Sequence, residues 1–309
     1  MAYVLETFNL SKRYKKQWAL KDVNIHISKG DIYGFVGENG SGKTTVIRLV
    51  TGLISATEGG VALFGVRNDD PAILEQRKKV GAIVETPSIY LNMSAAENLR
   101  LQSSILGIVD DVEEKIKDVL AEVGLSAVYE EKKKASNFSL GMRQRLGIAM
   151  ALLGNPELII LDEPMNGLDP TGIVEIRELI LKLNRAKEIT FLISSHILSE
   201  LSLVATKYGI ISKGKLLIEI TAEELQKQCR PSIFINVGDP EALKTLLIEY
   251  LPPEDCTFTD WGARVFGVVN LNDLLQKIVD AGIEILNVNS QQANIENYYL
   301  SLVGGMQNA

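Results

Sequence analysis

Residues 31–45 read DIYGFVGENGSGKTT: an apolar run that stops at a glycine, a short glycine-rich loop, then Lys-Thr-Thr. The run 31–36 has the length and continuity of a strand covered on both faces. The residues after it match G-x-x-x-x-G-K-[ST], with Gly37, Gly42, Lys43 and Thr44 in the fixed places. Glycines let backbone N–H groups curl around an anion where a side chain would block the approach, so the stretch Glu38, Asn39, Gly40, Ser41 is expected to cradle phosphates. A helix is predicted from about Lys43 to Leu53, its positive N-terminal end aimed at the same anion. Lys43 then neutralises β/γ oxygens, the Thr44 hydroxyl ligates Mg²⁺, and Thr45 reaches an α-phosphate oxygen.

Working outward, ELIILDE at 157–163 and ITFLISSH at 189–196 are further apolar runs that close on polar residues. Helical spacing lies between them: Val112, Ile116, Val119, Leu120 and Val123, then Ile173, Ile176, Ile180 and Leu183. Strands alternating with helices predict an α/β domain with a mainly parallel sheet. A long helical insert, about 86–153, separates the loop from the strand 157–163, and Gly154-Asn155-Pro156 is expected to stop its last helix. The charge run EEKKK at 130–134 reads as a solvated turn. The predicted fold is a phosphate-loop α/β core over 1–220, with this helical subdomain, and a small α+β domain over 221–309. In that second part SIFINV, 240–250, ARVFGVV, 271–281, IEILNV and 294–302 read as β-α-β-α-β followed by a last helix, a ferredoxin-like order.

The chain has 309 residues, 46% hydrophobic and 23% charged, with a net charge of −7. That acidity argues against a nucleic-acid partner, which demands a basic face. Cys229 and Cys256 lack the paired spacing of a metal site. The N-terminus carries no secretory pattern, and no run approaches the ~18 apolar residues that span a bilayer. Action on a membrane would need another chain for the spanning part.

The strand 158–162 ends in Asp162 and Glu163, a costly placement unless the carboxylates meet a cation or donors. After a phosphate loop, Asp162 is expected to serve Mg²⁺ through water, and Glu163 to polarise an attacking water. His196 closes another strand at the same sheet edge and is expected to contact a γ-phosphate and steady Glu163. The other histidine, His26, reads as a surface strand residue.

GENGSGKTT, FSLGMRQR, LDEP, NGLD and SSH, in this order and at these separations, resemble the ATP-binding subunits of ABC transporters over about residues 3–220. The resemblance implies an ATPase that uses ATP and Mg²⁺ and works as a head-to-tail dimer with a second copy or a homologous subunit. It also implies integral membrane permease partners and a peripheral place on the cytoplasmic face of the membrane. Ser139 and Gly141 match the signature that caps ATP held by the opposite subunit. Asp169 matches the loop that communicates across the dimer. Tyr14 matches the aromatic that stacks on adenine, with Trp18 close enough to compete. Leu140 and Met142 stand where the pattern has a second glycine and a glutamine. Glu85 stands where it has a glutamine that reads the γ-phosphate; a carboxylate there could ligate Mg²⁺ but otherwise adds repulsion. VETPSIY, SLGM and the C-terminal part look like the bacitracin and lantibiotic-immunity branch of exporters. The rival is a non-transport ATP switch on the ribosome or another soluble machine. Such proteins join two ATPase cores and carry basic linkers, whereas this chain has one phosphate loop.

Overall fold

A computed structural model of the chain describes residues 3–229, 231–267 and 270–291, and the chain divides into two compact units, Met1–Ala222 and Glu223–Ala309. The first unit opens with β1 (Leu5–Tyr14), β2 (Gln17–Val23) and β3 (His26–Ile27). Next come β4 (Ile32–Val36), helix α1 (Lys43–Val50), β5 (Glu58–Leu63), β6 (Val66–Arg67), α2 (Ile73–Arg77) and β7 (Val80–Ile83). The insert contributes α3 (Ala95–Leu106), α4 (Val112–Glu122) and α5 (Leu140–Leu152). The unit finishes with β8 (Leu158–Asp162), α6 (Pro170–Lys187), β9 (Thr190–Ser195), α7 (Leu198–Leu201), β10 (Lys207–Ser212) and β11 (Lys215–Thr221).

Two sheets result. One is antiparallel, in the order β2-β1-β5-β6 with β3 on β1. The other runs β11-β10-β4-β9-β8-β7, parallel throughout except for β11. Every residue of β4, β8 and β9 is buried, which is why these strands read as unbroken apolar runs. Val46, Ile47, Leu49 and Val50 of α1 share one core with Leu5, Leu10 and Val23 of the first sheet and Phe35, Leu158 and Ile160 of the second. Each such side chain contributes about 1.5–3 kcal/mol of burial, so the helix behind the loop is clamped from both sides.

The insert is helical as expected, and Glu131, Lys132, Lys133 and Lys134 are exposed. Its last helix ends at Leu152, and the left-handed residue beyond it is Asn155 (φ 50°), not Gly154. Asparagine tolerates that conformation through local hydrogen bonding. His26 does lie in a strand, but it is half-buried: its Nδ1 meets Glu219 Oε2 at 2.9 Å, and its backbone N–H donates to Glu219 Oε1 at 2.8 Å. No described helix is long and apolar enough to cross a membrane.

Helix α8 (Ala222–Gln228) spans the division between the units. The second unit contains β12 (Ser232–Val237), α9 (Pro240–Tyr250), β13 (Cys256–Thr259), β14 (Gly262–Phe266), α10 (Leu271–Asp280) and β15 (Ile285–Gln291). Its antiparallel sheet has the order β13-β14-β12-β15, the β-α-β-β-α-β arrangement of ferredoxin-like domains. Strand β13 is an addition to the elements read from the sequence. The helix read over 294–302 lies outside the described residues.

Candidate functional site

The loop after β4 is shaped by two glycines. A Cβ on Gly37 would stand 2.4 Å from Ile211 O and 2.5 Å from Ser41 Oγ. Gly42 adopts φ 112°, and its Cβ would strike Leu20 Cδ2 at 2.5 Å. No other residue fits either place. Backbone bonds from Ser41 N–H to Glu38 O (3.0 Å) and from Gly214 N–H to Ser41 O (2.9 Å) hold the loop's curl. The Ser41 hydroxyl is buried and has no protein partner.

Lys43 is only 6% exposed. Its ammonium donates to Gly37 O at 2.6 Å and to Glu38 O at 3.2 Å, and lies 3.2 Å from Glu163 Oε1. Glu163 sits just past β8 at φ 51°. Its other oxygen, Oε2, meets His196 Nδ1 at 2.8 Å. One carboxylate thus bridges the loop lysine and the strand-end histidine, the grouping read from the sequence. Behind them, Glu200 has its carboxyl pushed above the ordinary range by burial, against the opposing pull of His196.

Asp162 is 2% exposed and is held by two hydroxyls. Thr44 Oγ1 donates to its Oδ2 at 3.0 Å, and Ser194 Oγ donates to its Oδ1 at 2.5 Å. Ser194 Oγ also accepts the Glu163 N–H at 2.9 Å. The sequence reading passed over Ser194. It stands opposite Asp162 in the β8–β9 register, two residues before His196. That spacing was the signal available in SSH.

A cleft of about 620 Å³ opens beside the loop, lined by Tyr14, Trp18, Asn39, Gly40, Lys43, Thr44, Thr45 and Glu163 among others. Its size is that of a small-molecule site. Both candidate aromatics line it. Tyr14 is 46% exposed beneath Lys12 Nζ at 5.3 Å, and Trp18 carries the Arg13 guanidinium at 5.2 Å. Lys213 and Gly214, which the sequence reading did not include, close its far wall.

Nine expected residues lie outside this lining: Gly37, Glu38, Ser41, Asp162 and His196 are tied to it by the bonds above, and four stand apart. Glu85 is exposed and paired with Arg48 Nη2. Ser139 caps α5, its Oγ accepting the Met142 N–H at 3.1 Å. Gly141 lies in the first turn of that helix. Asp169 caps α6, its Oδ1 accepting the Gly172 N–H at 3.2 Å.

Among the described residues no group of three or more His, Cys, Asp or Glu side chains could hold a metal ion unaided. The pair Thr44–Asp162 instead offers one hydroxyl and one carboxylate beside the phosphate loop. That donor set suits Mg²⁺, which keeps several waters and takes its remaining ligands from phosphates.

The family described as ABC transporter matches residues 20–166. The bacitracin transport ATP-binding protein BcrA of Bacillus licheniformis is 42% identical over 307 residues, 99% of each chain. The lantibiotic transport ATP-binding protein SrtF of Streptococcus pyogenes is 42% identical over 219 residues, 70% of this chain and 90% of that one. A nucleotide-free ATP-binding cassette from an ABC transporter superposes with a TM-score of 0.64 at 30% identity, covering 73% of this chain and 94% of the other. With both its sheet architecture and nearly its whole length shared in this way, the chain belongs to the ATP-hydrolysing, nucleotide-binding subunits of ABC transporters.

Proposed function

We propose that this subunit powers the export of an antimicrobial peptide of the bacitracin or lantibiotic type, with a hydrophobic drug as the second choice of cargo. Likeness to the bacitracin transport protein runs through both compact units, whereas likeness to the lantibiotic protein covers 70% of the chain. The bridging of Lys43, Glu163 and His196 beside the Thr44–Asp162–Ser194 chain carries the ATP-driven part of this reading, and the likeness along both units carries the export part. Likeness to transport proteins favours this reading over the ribosomal-switch alternative.

In this reading the loop amides and Lys43 grip the triphosphate. Tyr14 or Trp18 supplies the base-stacking face. Thr44 and Asp162 would hold Mg²⁺, which supplies charge neutralisation on phosphate oxygens. As Lys43 turns to the phosphates it releases Glu163, whose carboxylate then accepts a hydrogen bond, and ultimately a proton, from the attacking water. His196 keeps Glu163 aimed, and Ser194 keeps Asp162 and the Glu163 backbone in register.

The second half of each site comes from a second copy or a homologous subunit. Gly141 supports this. Glycine inside a helix costs about 1 kcal/mol against alanine, yet the nearest atom to a Cβ there would be Leu168 Cδ2 at an ordinary 3.9 Å. Among the described residues nothing demands a glycine there, so a close approach from outside fits better. Leu140 beside it is 42% exposed. Asp169 would follow the same interface. A groove of about 250 Å³ between β7 and α5, lined by apolar side chains such as Ile83, Leu106 and Met150 and by polar ones such as Lys78, Ser88 and Gln102, offers a seat for a segment of a membrane permease. Through that permease the subunit would sit on the cytoplasmic face of the membrane.

The test is Glu163→Gln. Nucleotide affinity should persist, hydrolysis should fall at least about a hundredfold, and a nucleotide-dependent dimer should accumulate in size-exclusion chromatography. Undiminished steady hydrolysis by the variant would reject the assignment. The cargo class is checked by co-purification of the permease and by bacitracin and lantibiotic tolerance of cells carrying both.

A further inference from the structure

Glu85 raises a problem that the reading of the cleft sharpens. A carboxylate stands at the junction between β7 and the insert, where the resemblance leads one to expect an uncharged amide, and a second negative charge close to a triphosphate opposes binding. Arg48 is placed to answer it. It lies four residues after Thr44 in α1, so both side chains project from one face of the helix, about 6 Å apart along the axis. Side chains on a helix lean toward its N-terminus, which carries the guanidinium back toward Thr44. There its Nη2 is bonded to Glu85 Oε1.

The backbone at Glu85 is unusual as well. Thr86 N–H donates to Val84 O at 2.8 Å across Glu85, which has φ 62°. A three-residue turn with positive φ at its centre is the rarer and more strained form of the γ-turn. It persists only when its surroundings specify it, and the partner of the Glu85 side chain is Arg48. Arg48 is 40% and Glu85 57% exposed, and an ion pair that open adds little to stability. Its value must lie elsewhere.

We infer that Arg48 is a positioning residue that neutralises Glu85 and keeps its carboxylate off the phosphate and metal site. This rests on the reading of the neighbouring cleft as the Mg·ATP site. Glu85 is then not a standing ligand of the metal. It is a charge held in check by a residue one helical turn from Thr44.

The test is calorimetric binding of the slowly hydrolysed analogue Mg·ATPγS to the full-length chain. Five forms are compared: wild type, Arg48→Gln, Arg48→Lys, Glu85→Gln, and the double variant Arg48→Gln/Glu85→Gln. Arg48→Gln should weaken binding about tenfold, the order expected when one charge near a protein surface loses its partner. Arg48→Lys should keep most of the affinity. The double variant should return to within about threefold of wild type, because the charge that needed neutralising is gone. Equal losses from Arg48→Gln in the wild-type and Glu85→Gln backgrounds would overturn the inference, since Arg48 would then act on its own account. So would binding by Arg48→Gln as tight as wild type or tighter. Lys43→Ala separates this from the underlying reading. If it binds the analogue as wild type does, the site lies elsewhere; if it loses binding while the double variant fails to recover, only the role of Arg48 falls.

Discussion

Ser194→Ala offers the sharpest check on how the buried Asp162 carboxylate is held. The hydroxyl is fully buried, donates to Asp162 Oδ1 at 2.5 Å and accepts the Glu163 N–H at 2.9 Å. Removing it strips a buried carboxylate of one of its two hydroxyl donors, leaving Thr44 Oγ1 at 3.0 Å. The Glu163 amide keeps a poorer bond, to Ser194 O at 3.2 Å, so most of the loss falls on Asp162. A hydrogen bond to a charged group contributes about 1.5–3 kcal/mol, and about 2 kcal/mol is expected here. For a unit of this size each kcal/mol moves Tm by roughly 2–4 °C, so the variant should melt about 4–8 °C lower. Scanning calorimetry on the full-length chain measures this. The transition that rises on adding Mg·ATP identifies the nucleotide-binding unit. A Ser194→Ala protein melting within about 1 °C of wild type in that transition would refute the argument that this hydroxyl carries the buried charge.

Other perturbations test the remaining pieces. Gly37→Ala forces a Cβ to within 2.4 Å of Ile211 O, a backbone atom that cannot step aside; nucleotide binding should be lost and stability should fall by about 1–3 kcal/mol or more, read by calorimetry and unfolding. Ser139→Ala removes the cap on the Met142 N–H, lowering stability by about 1 kcal/mol; in the Glu163→Gln background it should also reduce the nucleotide-trapped dimer seen by chromatography. Hydrogen bonds from Arg100, then Tyr129, lower the Glu113 carboxyl from 4.5 to about 2. A depressed carboxyl stabilises the fold above pH 4.5 and loses that contribution as pH falls through about 2. Glu113→Gln should therefore flatten the acid limb of denaturant-unfolding stability between those values, by about 0.5 kcal/mol given how exposed the pair is.

The strands that carry the candidate site were readable because they are buried on both faces: β4, β8 and β9 announce themselves as apolar runs that lead into the candidate site residues. The antiparallel sheet was not. In β1 the pairing with β2 shifts register between Leu10 and Lys12 and again between Lys12 and Arg13, which breaks the alternation a strand needs to be recognised. Strand β13 is CTFT, exposed beyond Cys256, so it lacks an apolar signature. Within the site, spacing sufficed to single out Lys43, Asp162, Glu163 and His196, which the structure brings together. The partners that aim them could not. Ser194 reaches Asp162 only through the pairing of two strands, and Arg48 reaches Glu85 across 37 residues of chain. Those neighbours are set by tertiary packing, which leaves no periodic trace.

The lysine of the phosphate loop has a consequence for how the nucleotide arrives. Its ammonium already has three oxygen partners in the structure: two loop carbonyls and a carboxylate. Freezing a loose lysine tail costs roughly 2 kcal/mol of rotamer entropy, and here that ordering has been done during folding. Capture then becomes a swap of one set of oxygens for another, with the tail stiff before and after. The pocket is primed rather than assembled on demand, and the anion meets a loop whose shape it does not have to induce.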